Sequence, residues 1–84
     1  MNKIKTAVIG VGSLGQHHAR ILSQHENSEL IGVVDASEER GKQIANSCGT
    51  KNFTSVDDVV GKINAAVIAV PTPYHYEVAK KLLI

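Results

Sequence analysis

The stretch that decides the fold is Ala7-Val8-Ile9-Gly10-Val11-Gly12-Ser13-Leu14-Gly15. It passes from an apolar, β-branched segment through three glycines into a segment with helical periodicity. The spacing G-x-G-x-x-G is typical of a strand that turns sharply into a helix beside a pyrophosphate. In that pattern Gly10 makes the tight turn, Gly12 leaves room for the phosphates, and Gly15 lets the helix pack closely on the strand.

An acidic residue follows this stretch at the spacing that the pattern requires. The free N–H groups of the helix's first turn, around Ser13 and Leu14, are expected to face the phosphates with the positive end of the helix dipole behind them. Asp35 lies twenty residues after Gly15, at the end of the next apolar run. A carboxylate there can accept hydrogen bonds from an adenosine ribose, although a solvated residue that precedes a helix would look the same. We therefore predict a dinucleotide site.

Composition restricts the class of protein. The chain has 84 residues, enough for one small domain, and nine basic residues against eight acidic ones give a net charge of +1. This balance, with one phenylalanine and two tyrosines, favours neither a nucleic-acid partner nor a membrane partner. Cys48 is the single cysteine, so we expect a small buried hydrophobe rather than a disulfide. With no visible signal peptide or membrane span, we expect a cytoplasmic protein.

Hydrophobic periodicity predicts four strands that alternate with helical segments. The strands are expected at residues 6–9, 30–34, 51–54 and 65–70. The first helix is expected at residues 14–25. Its predicted packed face consists of Leu14, His18, Ile21, Leu22 and His25.

Capping residues delimit the other elements. Ser37 is predicted to cap the second helix and Gly49 to end it. Gly32, inside the second strand, is expected where a helix approaches closely. Ser55 with Asp58 resembles a capping box before a short turn or helix.

The order of elements predicts the topology. Strands that alternate with helical segments indicate a parallel sheet with right-handed crossovers. By analogy with dinucleotide-binding folds, we predict a doubly wound α/β sheet with strand order 3-2-1-4. The strand at residues 65–70 would then be an apolar edge, so we expect a homo-oligomer or another cover. A last helix, beginning near Pro73, has no terminator, which suggests that residues 1–84 are the front part of a longer protein.

The segment Val70-Pro71-Thr72-Pro73-Tyr74-His75 is more specific than the glycines. Taken with the glycine stretch, His18-Ala19, Asp35 and residues 66–72, it resembles the start of the Gfo/Idh/MocA oxidoreductases (glucose-fructose oxidoreductase, inositol dehydrogenase and rhizopine catabolism). The resemblance covers essentially the whole chain. Within the family, residues 71–79 are most similar to members that act on nucleotide-linked N-acetyl sugars.

The resemblance implies that residues 1–84 are part of an N-terminal Rossmann domain, and that a C-terminal substrate domain is absent from this chain. It implies a nicotinamide cofactor and a hydroxyl-bearing carbon of a sugar, nucleotide sugar or cyclitol as the reacting group. The implied cofactor-binding residues are Gly10, Gly12, Ser13, Leu14, Gly15, Asp35, Pro71, Thr72 and His75. The family's Glu-Lys-Pro motif with its catalytic lysine would follow Ile84, so no catalytic residue is assigned here. We expect the complete enzyme to be active and this chain alone to be inactive.

Several residues allow a second interpretation. Arg40 could approach an adenosine 2′-phosphate, but Asp35 would repel one, so we predict NAD rather than NADP. His17 and His18 are adjacent on a helix and point about 100° apart, so we predict no metal site. His75 fits either a packed core histidine or a cofactor contact.

Two other functions stay open. One is a free-standing module that binds NAD and regulates without catalysis. The other is a Rossmann domain for a different nucleotide, such as coenzyme A or S-adenosylmethionine. Asp35 argues against the phosphates of coenzyme A but less against adenosine itself.

Overall fold

The computed structural model describes residues 3–69 and 80–81. Within them one sheet is formed by β1 (Ile4–Ile9), β2 (Ser28–Val34), β3 (Lys51–Phe53) and β4 (Ala65–Ile68). Two helices, α1 (Ser13–Gln24) and α2 (Glu38–Cys48), and a single 3₁₀ turn at Val56–Asp58 connect these strands. The strands run parallel in the order β3-β2-β1-β4, which confirms the predicted α/β class and strand order.

The centre of the sheet is β1, which pairs with β2 on one side and β4 on the other. Ala7 and Val8 are fully buried and Ile9 nearly so. Successive side chains of a strand point to opposite faces, so a continuous buried run means that both faces are covered. This confirms why the first strand lacks a polar alternation.

Two apolar clusters lie on the two faces of the sheet. The cluster under α1 and α2 contains Val8, Val11, Ala19, Val33 and Ala45. The cluster on the opposite face contains Ala7, Ile9, Val34, Val56 and Val59. Cys48 packs against the first cluster but is only partly buried, so the prediction of a buried cysteine holds in part.

The predicted packed face of α1 is wrong at Leu14, Ile21 and His25, which are exposed, but His18 is partly buried and Leu22 packs against the cluster under the two helices. Leu14 and Ile21 are 62% and 46% exposed, and the buried residues of the helix are Gly15 and Ala19. The reason is the close approach of α1 to the turn after β1, where a Cβ on Gly15 would overlap the carbonyl oxygen of Gly10. A helix that approaches this closely places its small residues on the sheet, and Leu14 and Ile21 are then turned outwards.

Some strand limits also differ from the prediction. β1 begins at Ile4 and β2 at Ser28, each two residues earlier than predicted, because Ile4 and Ser28 pair with each other in the parallel register. The Ser28 hydroxyl also lies 2.9 Å from the Thr6 hydroxyl of β1. Gly32 does mark a close approach, but the neighbour is the ring of Phe53 on β3 and not a helix. A Cβ on Gly32 would lie 2.7 Å from Cδ2 of that ring.

The helix caps follow the sequence closely. The Ser37 hydroxyl accepts a hydrogen bond from the Arg40 amide at 3.3 Å, and Gly49 ends α2 with a φ of +67°. Both predictions are confirmed. The Ser55 hydroxyl accepts from the Asp57 amide at 3.2 Å, so the capping contact is made with Asp57 and not with the predicted Asp58.

β4 is the outer strand of the described sheet, and its residues are exposed or partly buried. The predicted end of this strand at Val70 lies outside the described residues, as does most of the predicted last helix. No helix in the described part of the chain is long and apolar enough to cross a membrane.

Candidate functional site

The carboxyl ends of the two central strands bring the predicted site residues together. Ile9 of β1 pairs with Val34 of β2, so Gly10 and Asp35 follow their strands side by side. The Gly10 amide donates to the Val34 carbonyl at 2.6 Å, which fixes this neighbourhood. Ligands of open parallel sheets bind beyond the carboxyl ends of the strands, at the point where the strand order reverses. In this sheet the order reverses at β1, which lies between β2 and β4.

The three glycines of the turn have different local requirements. Gly10 has a φ of +90°, a conformation that side chains disfavour, and Gly15 must lack a Cβ because of the Gly10 carbonyl. Gly12 has an ordinary extended conformation with φ −66° and ψ −164°. A Cβ added to Gly12 would meet no atom of the described residues within 4 Å. The described fold therefore requires glycine at positions 10 and 15 but not at position 12.

The first turn of α1 lacks the groups that normally satisfy a helix N-terminus. Gly12 is the N-cap, with no side-chain hydrogen bond from a described residue and no acidic residue in the first turn. In α2, by contrast, the Ser37 hydroxyl caps the helix and Glu38 and Glu39 lie in the first turn. The N–H groups of an uncapped first turn and the positive end of the dipole favour an anion. This uncapped end lies directly beside the open Cβ position of Gly12.

Asp35 connects the glycine turn to α2. Its side chain is 4% exposed. Oδ2 accepts from the Val11 amide at 2.9 Å, and Oδ1 accepts from the Ser37 amide at 2.8 Å. The Arg40 guanidinium donates to both oxygens, from Nε to Oδ2 at 3.1 Å and from Nη2 to Oδ1 at 3.0 Å. One carboxylate therefore holds the loop after β1, the start of α2 and a cation.

These contacts set the charge of the carboxylate. Burial alone raises the pKa of Asp35, but the hydrogen bonds from Arg40, Val11 and Ser37, with the charge of Arg40, outweigh it and lower that pKa below its usual value. The hydrogen bonds to Asp35 and its charge raise the pKa of Arg40. Both groups are therefore ionised at neutral pH.

The pairing of Asp35 with Arg40 is the feature that the sequence prediction missed. The sequence predicts a ribose contact for Asp35 and repulsion by Asp35 of any 2′-phosphate that Arg40 could approach, but it does not predict that the two side chains pair. The sequence contains one local signal for this pairing, the order Asp35, Ser37, Arg40. Ser37 caps α2, and Arg40 then lies in the first turn of the helix, close to Asp35. The remaining predicted residues, Pro71, Thr72 and His75, lie outside the described residues.

His17 in α1 and His25, which follows the helix as its C-cap, each have a local polar neighbour. His17 Nδ1 lies 3.0 Å from Arg20 Nη2, and His25 Nδ1 accepts from the Asn27 amide at 3.1 Å. No group of three or more His, Cys, Asp or Glu residues in the described ranges could hold a metal ion. A half-open groove of about 540 Å³ runs between α1 and α2, with His17, Arg20 and Cys48 in its lining.

Known proteins show the same fold and sequence pattern. The chain is 38% identical over 80 residues to the UDP-N-acetylglucosamine 3-dehydrogenase of Acidithiobacillus ferrooxidans. This alignment covers 95% of this chain and 25% of that protein. A solved structure of that enzyme, GnnA, superposes with a TM-score of 0.90 at 36% identity, covering 99% of this chain and 27% of the other. The glucose-6-phosphate 3-dehydrogenase of Bacillus subtilis is 32% identical over 94% of this chain and 23% of its own length.

A third protein was solved with a bound dinucleotide. GenD2 from gentamicin A biosynthesis, in complex with NAD, superposes with a TM-score of 0.91 at 27% identity, covering 99% of this chain and 24% of that one. The chain spans about a quarter of the length of the curated relatives it matches. The family model described as an oxidoreductase family with an NAD-binding Rossmann fold matches residues 4–84. This chain therefore belongs to the Gfo/Idh/MocA family of oxidoreductases, whose NAD-binding Rossmann fold it carries.

Proposed function

We propose that this chain is the NAD-binding part of an oxidoreductase. The enzyme would transfer hydride between a nicotinamide cofactor and a hydroxyl carbon of a sugar, nucleotide sugar or cyclitol. The observation that carries this proposal is the uncapped N-terminus of α1 beside Gly12, whose missing side chain is required by nothing else among the described residues. A pyrophosphate fits both features, since it needs N–H donors and close backbone approach.

The proposed roles follow the geometry of the turn. The first-turn N–H groups around Ser13 and Leu14 would bind the pyrophosphate, and Gly12 would leave it room. Gly10 and Gly15 shape the turn and hold it against the helix. The predicted roles of Pro71, Thr72 and His75 beside the cofactor rest on the family resemblance alone.

Asp35 is proposed to hold the adenosine ribose from the end of β2. It is the described carboxylate nearest in the fold to the glycine turn, since its Oδ2 accepts from the Val11 amide at 2.9 Å. Its negative charge supports NAD rather than NADP, and GenD2, a relative of the same fold, was solved with NAD. The ion pair with Arg40 partly neutralises that charge, so titration with NAD and with NADP tests the preference.

The cofactor and the protein contribute different parts of the reaction. When bound, the nicotinamide ring supplies the hydride acceptor or donor. The described residues bind and orient the dinucleotide, and none of them is assigned the proton transfer that oxidation of an alcohol also needs. Two curated relatives are named as sugar-directed dehydrogenases, one for UDP-N-acetylglucosamine and one for glucose 6-phosphate, which supports the proposed substrate class.

The proposal is tested with the protein expressed from its complete reading frame. Calorimetric titration with NAD, NADP, coenzyme A and S-adenosylmethionine should show binding of the nicotinamide dinucleotides only. Formation of NADH, followed at the nicotinamide absorbance band with UDP-N-acetylglucosamine, glucose 6-phosphate and inositols, then tests turnover. NAD binding without turnover on any hydroxyl substrate would favour the regulatory module, and tighter binding of coenzyme A or S-adenosylmethionine would overturn the proposal.

A further inference from the structure

We propose that Arg40 competes with the adenosine ribose for Asp35 and thereby sets the preference between NAD and NADP. In this proposal the guanidinium leaves Asp35 when NAD binds and transfers to the 2′-phosphate when NADP binds. The inference rests on the proposed dinucleotide site. It goes beyond that site because the affinity of Asp35 for the ribose then depends on its ion pair with Arg40.

The acceptor positions of Asp35 are all in use. An ionised carboxylate offers about four lone-pair sites, two on each oxygen. Oδ2 accepts from the Val11 amide and Arg40 Nε, and Oδ1 accepts from the Ser37 amide and Arg40 Nη2. The side chain is also 4% exposed. A ribose hydroxyl can therefore donate to Asp35 only after one of these donors has left.

The donor that can leave is the guanidinium. The Val11 amide is fixed by the turn after β1, and the Ser37 amide by the start of α2, so displacing either would move the backbone. The Arg40 side chain is 52% exposed, and its guanidinium can move by rotation about side-chain bonds without moving the backbone. An ion pair at such an exposure is weak, because water and salt screen it and because ordering a long side chain costs entropy. Arg40 is therefore the contact that a ribose replaces.

The two dinucleotides differ in the partner that they offer to the Arg40 guanidinium after it has left Asp35. With NAD, the released guanidinium returns to solvent, so its former pairing counts against binding. With NADP, the 2′-phosphate offers two oxygens that the planar guanidinium can bind in a bidentate pair. Without the guanidinium, the charge of Asp35 would also repel that phosphate directly. The same residue thus weakens the binding of NAD and permits the binding of NADP.

Arg40→Met tests this inference in the protein expressed from its complete reading frame. The substitution keeps the apolar stem of the side chain and removes every donor. We expect the Kd for NAD to fall roughly threefold to tenfold and the Kd for NADP to rise roughly tenfold or more, measured by calorimetry at fixed ionic strength. Arg40→Lys keeps the charge without the bidentate fork, so its Kd for NADP should lie between those of the wild type and Arg40→Met.

Lys42→Met is the matched control. Lys42 lies two residues further along α2, pairs only with exposed Glu38 at 3.0 Å among the described residues, and carries the same unit charge. Its loss should change both Kd values equally and slightly. Equal losses of NAD and NADP affinity in Arg40→Met would overturn the inference, because they indicate a structural or stacking role, and so would unchanged values. A wild-type protein that binds neither dinucleotide would instead refute the proposed function.

Discussion

Replacing Gly12 by alanine separates what the fold requires at this position from what a ligand requires. The backbone there has φ −66° and ψ −164°, which alanine can adopt, and the new Cβ would have no described atom within 4 Å. Restricting the unfolded chain stabilises the protein by about 0.4–1 kcal/mol. Alanine is a poorer N-cap than glycine, which costs about 0.5–1 kcal/mol. These effects nearly cancel, so the free energy of unfolding should change by less than about 0.5 kcal/mol.

The same methyl group should have a large effect on dinucleotide binding. It projects into the space beside the uncapped first turn of α1, where we propose that the pyrophosphate lies. Losing one charge-assisted hydrogen bond costs about 1.5–3 kcal/mol, which is roughly 10- to 150-fold in Kd. Gly12→Val adds more bulk in the same direction and should abolish measurable binding. Urea unfolding gives the stability, and calorimetric titration with NAD gives the affinity.

Two outcomes for Gly12→Ala would contradict this proposal. If Gly12→Ala lost more than about 2 kcal/mol of stability, the glycine would serve the fold, contrary to its extended backbone and open Cβ direction. If the variant bound NAD as tightly as the wild type, the phosphates would not lie beside position 12. Either outcome removes the observation on which the proposed function depends.

Three further predictions concern stability. Gly15→Ala should destabilise the protein by about 1–3 kcal/mol or more in urea unfolding, because its Cβ overlaps the Gly10 carbonyl, and a wild-type midpoint would contradict the close approach. Although burial opposes it, hydrogen bonding lowers the pKa of Asp35 when folded, so its contribution is present above the unfolded pKa of about 3.9 and is lost as the pH falls through the folded value. The stability difference between the wild type and Asp35→Asn should therefore be constant from about pH 5 to pH 7 and shrink below about pH 4, and a difference that grows in acid would reverse this assignment. Ser37→Ala should cost about 1 kcal/mol through the lost hydrogen bond from the Arg40 amide, whereas unchanged thermal unfolding would show that this cap is dispensable.

The parts of the fold that depend on local chemistry could be predicted from the sequence. Gly49 is a glycine because the end of α2 needs a positive φ, and Ser37 is a serine because the start needs an acceptor. The alternation of elements and the handedness of crossovers predicted a parallel sheet. These rules use neighbouring residues or general chirality, so one sequence suffices. The strand order 3-2-1-4 came from the analogy with dinucleotide-binding folds.

The features that depend on how closely elements approach could not be predicted. Leu14 and Ile21 have helical spacing, but the direct packing of Gly15 on the β1–α1 turn decides which face of α1 is buried. The ion pair of Asp35 with Arg40 likewise needs the position of the helix start relative to the strand end. Spacing identified both residues as candidates for the adenosine end of a dinucleotide. Only the geometry shows that they bind each other.

The most direct test of the central claim is a titration of the ¹⁵N-labelled protein with NAD, followed by amide chemical shifts. We expect the largest shift changes on the amides of residues 12–15, at the uncapped start of α1, with a second set around Asp35. Changes centred instead on the groove between α1 and α2, near Arg20 and Cys48, or no changes at saturating NAD, would contradict it.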